Sequence, residues 1–148
     1  MASVLLVVGS VYGNSSSVAE ECAELLRSAG HEADILSNAS LNDLKVRPDS
    51  VLLVCTSTTG QGEIPDNIYP LVNELRESFP LMPDRRYGVI ALGDSSYETF
   101  ADAGRQVDEL LQELQAKRLG EVLYIDACET ADPEGTAIEW MREWMKAI

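Results

Sequence analysis

The chain has 148 residues, of which 25 are acidic and 11 are basic, so its formal net charge at pH 7 is −14. A charge this negative argues against nucleic acid and anionic membrane surfaces as partners, because both are themselves negatively charged. It favours docking onto a basic protein surface, although a strongly charged surface also serves solubility alone. The length predicts a single domain over residues 1–148, with enough chain to bury about two-thirds of its unfolded surface.

The three cysteines, Cys22, Cys55 and Cys128, form no C-x-x-C pair and are odd in number. This usage indicates a reducing compartment rather than a disulfide framework. Cys22 and Cys55 lie in apolar patterns and are predicted to be small core residues. The N-terminus lacks a charged region and its apolar run is too short for a membrane span, so we expect a cytoplasmic protein.

The first predicted strand, Val4–Val8, leads into a short hydroxyl-rich loop, and a helical pattern opens near Ser16. Unpaired N–H groups and the positive end of the helix dipole meet in such a loop, which suits an anion. The loop has no Lys or Arg, so the expected anion is one bound by neutral donors, such as a phosphate monoester. The Walker A lysine and the three-glycine dinucleotide pattern are both absent. The alternative is an ordinary turn whose serines only cap the helix.

The segments that follow alternate between helical and strand patterns. In chain order, the predicted elements are a helix Ser16–Ala29, an edge strand Glu32–Leu36, a loop Ser37–Pro48, a strand Val51–Thr56, a helix Asp66–Ser78, a strand Arg86–Leu92, a helix Phe100–Ala116, a strand Glu121–Ile125 and a helix Thr136–Ile148. Five strands alternating with helices predict an α/β fold with a parallel sheet covered on both faces. In such folds, ligands bind beyond the carboxyl ends of the strands, near a switch in strand order.

Three unusual polar loops each follow the carboxyl end of a buried strand, so we expect them to meet at one edge of the sheet. This convergence favours a ligand site over simple helix capping, because long loops in compact domains are commonly functional.

The sequence also predicts the structural roles of several individual residues. Glu20, Glu21 and Glu24 are predicted to complement the dipole of the first helix. Pro70 is acceptable because it falls in the first turn of its helix. His31, the only histidine, is expected to be an exposed connector with no catalytic role. The apolar band of the last helix is predicted to pack into the core.

Taken together, the three loops resemble those of the flavodoxin family, over essentially the whole chain. Ser10-Val11-Tyr12-Gly13-Asn14-Ser15 looks like the loop that binds the phosphate of FMN in that family. Ser57-Thr58-Thr59-Gly60-Gln61-Gly62 looks like the second flavin loop, in the version seen in FMN domains of diflavin reductases. Leu92-Gly93-Asp94-Ser95-Ser96-Tyr97-Glu98-Thr99-Phe100 looks like the third. The length and an uninterrupted last strand are similar to the short-chain, MioC-like members.

The resemblance implies a flavodoxin-like doubly wound sandwich with a five-stranded parallel sheet in the order 2-1-3-4-5 and helices on both faces, flavodoxin being the standard example of this order. It also implies FMN as cofactor. The cofactor-binding residues that it implies are Ser10, Val11, Tyr12, Gly13, Asn14, Ser15, Ser57, Thr58, Thr59, Gly60, Gln61, Gly62, Leu92, Gly93, Asp94, Ser95, Tyr97, Glu98 and Phe100. No catalytic residue and no metal ligand is implied.

The resemblance also suggests individual roles. The FMN phosphate would contact the amides of residues 11–16 and the hydroxyls of Ser10 and Ser15. Tyr97 would stack on the isoalloxazine ring. Asp94 would order the third loop, whose amides can bind the pyrimidine edge of the ring, while also forming a turn.

The second loop departs from the pattern of many flavodoxins. Gly60 and Gly62 would let the backbone change conformation beside the ring, or would simply make a flexible turn. Many members place a Trp over the inner face of the flavin, whereas Thr59, Gly60 and Gln61 occupy that region here. No aromatic residue of this loop is therefore available for stacking.

The implied function is electron transfer, with electrons carried singly from a flavin-containing NAD(P)H reductase to an unidentified redox enzyme through the acidic surface. The protein would have no catalytic turnover of its own. The alternatives on the same fold are a flavin-dependent NAD(P)H quinone reductase and a non-redox protein-interaction module. A receiver domain is disfavoured because no Asp ends the strand Val51–Thr56, and a C-x₅-R phosphatase is disfavoured because Gln61 stands where Cys55 would require Arg.

Overall fold

The computed structural model describes residues 2–10, 14–58, 64–93, 101–126, 129 and 131–148. The elements, in chain order, are β1 (Ser3–Gly9), α1 (Asn14–Ser28), β2 (Glu32–Leu36), α2 (Leu41–Lys45), β3 (Val51–Ser57), α3 (Tyr69–Ser78), β4 (Arg86–Gly93), α4 (Asp102–Glu113), β5 (Lys117–Arg118), β6 (Leu123–Asp126), α5 (Pro133–Trp144) and a 3₁₀ turn (Met145–Ala147). In the part of the chain that is described, no helix has the length and apolarity needed to span a bilayer.

The strands form one parallel sheet in the order β2-β1-β3-β4-β5, with β6 also paired to β4. This confirms the predicted order, with β5 and β6 sharing the fifth position: Arg86 pairs with Lys117 and Ile90 with Leu123. The strand predicted over Glu121–Ile125 is found over Leu123–Asp126, and the short strand β5 before it was not predicted. The fifth position of the sheet therefore starts with β5 at Lys117 and is interrupted over residues 119–122. Gly120, within this interruption, has a φ of +72°, which is not an extended-strand conformation.

Helices cover both faces of the sheet and create two apolar layers. One layer packs α2, α3 and α4 on one side of the strands, and it includes Leu5, Leu52 and Val89. The other packs α1 and α5 on the opposite side, and it includes Leu6 and Leu53. Burial on both faces explains why these strands read as continuous apolar runs in the sequence.

The core expectations hold for the described cysteines and for the last helix. Cys22 and Cys55 are fully buried between α1, α5 and the sheet, and burial raises the pKa of the Cys22 thiol to about 12. Ala137, Met141 and Trp144 of α5 are buried in the same layer. Cys128 lies outside the described residues.

Helix boundaries differ from the predictions where capping groups set them. α5 begins at Pro133 because the Asp132 side chain accepts a hydrogen bond from Gly135 N at 3.0 Å. The loop predicted over Ser37–Pro48 contains α2, which a capping box between Ser40 and Asp43 initiates. Pro70 lies in the first turn of α3, as expected.

His31 is not the exposed connector that its position suggested. It is half-buried, and its Nδ1 accepts a hydrogen bond from Ala2 N at 2.9 Å. The imidazole therefore attaches the start of the first strand to the turn that follows α1.

Candidate cofactor site

Three neighbouring strands end together at the carboxyl edge of the sheet. Gly9 at the end of β1 pairs with Thr56 of β3, and Ser57 at the end of β3 pairs with Leu92 of β4. The chain leaves β1 toward β2 on one side, whereas β3 lies on the other, so the strand order switches here. The described ends of the three loops therefore lie together at this edge of the sheet, as expected.

Seven of the nineteen predicted cofactor residues lie in the described part of the chain, with Asn14 described in its backbone alone. They are Ser10, Asn14, Ser15, Ser57, Thr58, Leu92 and Gly93. The other predicted residues, which lie outside the described residues, are Val11, Tyr12, Gly13, Thr59, Gly60, Gln61, Gly62, Asp94, Ser95, Tyr97, Glu98 and Phe100. Their roles remain predictions.

The Ser15 side chain links the end of β1 to the end of β3. This side chain is fully buried, and its Oγ donates to Gly9 O at 2.5 Å and accepts from Ser57 Oγ at 3.2 Å. A hydroxyl has one proton to donate, and here that proton bonds the end of β1. The geometry therefore favours a structural role for this hydroxyl over the expected contact with phosphate, and it leaves the Ser15 backbone N–H as the group suited to an anion.

The N-terminus of α1 has the electrostatic character that an anion requires. The helix begins at Asn14 and has no acidic residue in its first turn. Glu20, Glu21 and Glu24 lie in later turns, so the expectation that they complement the dipole is wrong, because that effect is confined to the first turn. The N–H groups of the first turn have no acceptor within the helix, which leaves them able to bind an anion.

Thr58, at the entry of the second loop, bonds β4 where the third loop begins and the first turn of α4, which follows that loop. Its N–H donates to Leu92 O at 3.1 Å, and its Oγ1 accepts from Ala103 N at 3.1 Å. Ala101, which precedes α4, has a φ of 54° and provides no side-chain cap. Thr58 thus supplies from another loop the capping acceptor that the helix lacks locally.

A close contact between α4 and β4 holds that helix at the same edge. A Cβ atom on Gly104 would lie 2.3 Å from Ala91 Cβ, so the helix approaches the strand as closely as a glycine allows. The start of α4, where the third loop ends, is thereby kept beside the end of β4.

Asn67, which lies between the second loop and α3, was not among the predicted site residues. Its Oδ1 accepts from Ser10 N at 3.0 Å, and its Nδ2 donates to Val8 O at 2.9 Å and to Ser37 O at 2.6 Å. The helix predicted from Asp66 begins instead at Tyr69, and residues 66–68 form a turn. The signal available in the sequence was the Pro65-Asp66-Asn67 run, whose residue types favour a turn.

The described groups fit a phosphate-bearing cofactor that is held through neutral donors. All eleven Lys and Arg residues lie in the described part of the chain, and among them only Arg105 lies near the carboxyl edge, paired with Asp102 at 2.7 Å. The edge instead presents the acid-free N-terminus of α1 together with the Ser10 and Thr58 side chains, whereas the Ser15 and Ser57 hydroxyls donate within the protein. This donor set suits a phosphate monoester and a polar, uncharged ring edge.

Known proteins agree with this architecture. A family model described as Flavodoxin matches residues 6–140. Flavodoxin YqcA of Escherichia coli K12 is 47% identical over 144 residues, which cover 97% of both chains, and Protein MioC of the same organism is 36% identical over 148 residues, covering 100% of this chain and 99% of MioC. A solved structure of a mutant of Flavodoxin from Pseudomonas aeruginosa superposes with a TM-score of 0.92 at 44% identity, covering 98% of this chain and 97% of that one. The chain therefore belongs to the flavodoxin family of electron-carrying flavoproteins.

Proposed function

We propose that this protein binds FMN and carries electrons singly from a flavin-containing NAD(P)H reductase to a redox enzyme. The observation that carries the proposal is the convergence of three polar loop ends at the switch in strand order, beside a helix N-terminus without acidic residues. Bound FMN would supply reversible one-electron chemistry, and the chain's residues bind it, orient it and limit its contact with water.

In this proposal, the N–H groups at the start of α1 and the Ser10 hydroxyl hold the phosphate. The second and third loops hold the ring, with Tyr97 stacked on it and Asp94 ordering the third loop. The contacts of Ser15 and Thr58 link the loop ends, so the donors are arranged before the cofactor arrives. Pre-arranged donors raise affinity because less ordering is required on binding.

The distribution of charge supports a partner with a basic surface. The described acidic residues at the carboxyl edge, outside the sheet, are Asp66, Asp102, Glu129, Asp132 and Glu134. The cationic residues other than Arg105 lie toward the opposite end, at the starts of strands or the ends of helices, as Arg86 and Lys117 do. A negative edge around the cofactor site would attract and orient a positively charged reductase or acceptor.

A stopped-flow experiment separates a carrier from an enzyme. The FMN-loaded protein is mixed with NADPH alone, or with NADPH and a small amount of a flavin-containing reductase, while flavin absorbance is followed. A carrier is reduced slowly by NADPH and rapidly through the reductase. Rapid reduction by NADPH alone would instead support the quinone-reductase alternative, and no reduction in either mixture would contradict electron transfer.

A further inference from the structure

The side-chain amide of Asn67 occupies the point where the first two strands separate. Pairing of β1 with β2 ends at Val7 and Leu36. The carbonyl of the next residue in each segment, Val8 in β1 and Ser37 just after β2, accepts a hydrogen bond from Asn67 Nδ2, at 2.9 and 2.6 Å. The Asn67 side chain therefore bridges the two chain segments directly after the last paired residues of β1 and β2.

The same side chain holds the first residue of the phosphate loop. Asn67 Oδ1 accepts from Ser10 N at 3.0 Å, directly after β1 ends at Gly9. A single planar amide thus bonds the Val8 carbonyl, next to the end of β1, and the first amide of the loop. The direction in which the backbone leaves β1 is set by a residue 57 positions further along the chain.

The turn that carries Asn67 is itself fixed in place. Ile68 N and Tyr69 N both donate to Pro65 O, at 3.1 and 3.0 Å. Ile68 is buried, and a Cβ atom on Gly9 would lie 2.8 Å from its Cγ2 and 2.5 Å from Thr56 Oγ1. The turn therefore rests directly on the end of β1, and Asn67 cannot move far without opening this packing.

We propose that Asn67 is a positioning residue of the cofactor site, which sets where the phosphate loop starts and couples that loop to the exit of the second flavin loop. The proposal rests on the proposed function, since it concerns the phosphate of FMN. Without the amide, the start of the loop would have to become ordered when the phosphate binds, and that cost would lower affinity for FMN more than for riboflavin.

The first test compares the dissociation constants of FMN and riboflavin in wild type, Asn67→Ala and a matched control, Asn73→Ala. Asn73 lies on α3 and donates to Glu77 Oε1 at 3.4 Å within that helix. In Asn67→Ala the preference for FMN over riboflavin should fall about tenfold, the size of one lost hydrogen bond, with riboflavin affinity little changed. The preference should be unchanged in Asn73→Ala.

A second measurement uses the flavin-free protein. Hydrogen exchange of the Ser10 amide, followed by NMR, should be about tenfold faster in Asn67→Ala than in wild type. Asn67→Asp keeps the acceptor for Ser10 N, so the amide should stay protected in that variant. At 0.5 M salt the Debye length is roughly 4 Å, so the added charge of Asn67→Asp is screened. Under these conditions Asn67→Asp should retain more of the preference for FMN over riboflavin than Asn67→Ala does.

The outcomes distinguish this proposal from the function on which it rests. If wild type prefers FMN and Asn67→Ala keeps the same preference, or loses FMN and riboflavin affinity equally, Asn67 is not a positioning residue. Unchanged exchange of the Ser10 amide would overturn the proposal in the same way, even if the variant bound flavin poorly. If wild type binds neither flavin, the proposed function fails and this inference fails with it.

Discussion

At the scale of single residues, the carboxyl edge is held together by side chains that bond the backbones of distant segments. Ser15 bonds Gly9, Thr58 bonds Ala103 and Asn67 bonds Ser10. Backbone groups that leave a strand lose their regular partners, and buried ones must find others. Small polar side chains provide these partners, which explains why the edge is rich in serine, threonine and asparagine.

Removing the Ser15 hydroxyl is expected to destabilise the flavin-free protein. In Ser15→Ala the buried Gly9 carbonyl loses its donor, and the free energy of unfolding should fall by about 1–3 kcal/mol. The measurement is urea denaturation followed by circular dichroism. Ser17→Ala, an exposed position on the same helix, is the control and should change little. Equal stability of the two variants would contradict the structural role of Ser15.

The described cysteines are expected to be unreactive in the folded protein. Burial raises the pKa of Cys22 to about 12 and also raises that of Cys55, so both thiols stay neutral and shielded. In a Cys128→Ser background, a disulfide reagent should label neither thiol rapidly at pH 8, and both after unfolding. Since both pKa values are raised, the neutral thiols stabilise the fold below pH 9, and that contribution declines as the pH rises above it. Rapid labelling of the native protein would contradict this account.

The two core cysteines could be predicted from the sequence, whereas the role of Asn67 at the carboxyl edge could not, and the reason is physical. Cys22 and Cys55 were predictable as core residues, because Cys22 lies on the apolar face of a helical pattern and Cys55 in a continuous apolar strand. Asn67 was not, because its partners are Ser10, Val8 and Ser37, which are 57, 59 and 30 positions away. A hydrogen bond to a distant backbone leaves no periodic trace in the sequence near the residue that makes it.

At the scale of elements, strands were easier to predict than helix ends. The strands β1, β3 and β4 match their predictions to within a residue at each end, because each contains a continuous run of apolar residues. The start of α4 depends instead on Thr58, and the divided fifth strand on the conformation of Gly120. Such ends are set by tertiary contacts rather than by local propensity.

Thr58 is expected to stabilise the start of α4. In Thr58→Val the acceptor for Ala103 N is lost, and the free energy of unfolding should fall by about 1 kcal/mol, as for a removed helix cap. The Ala103 amide should also exchange faster with solvent. Thr136→Val, which removes a hydroxyl bonded within its own helix to Asp132 O at 3.1 Å, should leave Ala103 unaffected and serves as the control. Unchanged exchange in Thr58→Val would exclude the capping role.

At the scale of the whole molecule, the fold could be predicted from the sequence. The distribution of charge over the two ends of the sheet could be predicted only in part. Alternation of strands and helices indicated a parallel sheet, and the resemblance of the three loops supplied the strand order. The net charge of −14 is plain in the sequence, but its separation into an acidic carboxyl edge and a more basic opposite end appears only after folding. Charges from distant segments, such as Asp66 and Glu129, are brought to one edge by the topology.

This asymmetry predicts that electron transfer from a basic reductase depends strongly on salt. The second-order rate should fall about tenfold or more between roughly 0.02 and 0.5 M salt, because screening weakens the attraction between the two surfaces. The double variant Asp66→Asn with Glu129→Gln should be slower than wild type at low salt. Glu21→Gln with Glu24→Gln, which removes the same charge midway along α1, should be closer to wild type. A rate that does not change with salt would remove electrostatic steering from the account.

A fluorescence titration of the purified flavin-free protein with FMN and, separately, with riboflavin tests whether the carboxyl edge is a phosphate-binding flavin site. We expect saturable quenching of FMN at one equivalent, and binding of riboflavin weaker by about tenfold or more, because riboflavin lacks the phosphate that charge-assisted hydrogen bonds would hold. Absence of saturable binding, or equal affinity for the two flavins, would contradict a phosphate-binding flavin site at the carboxyl edge of this sheet.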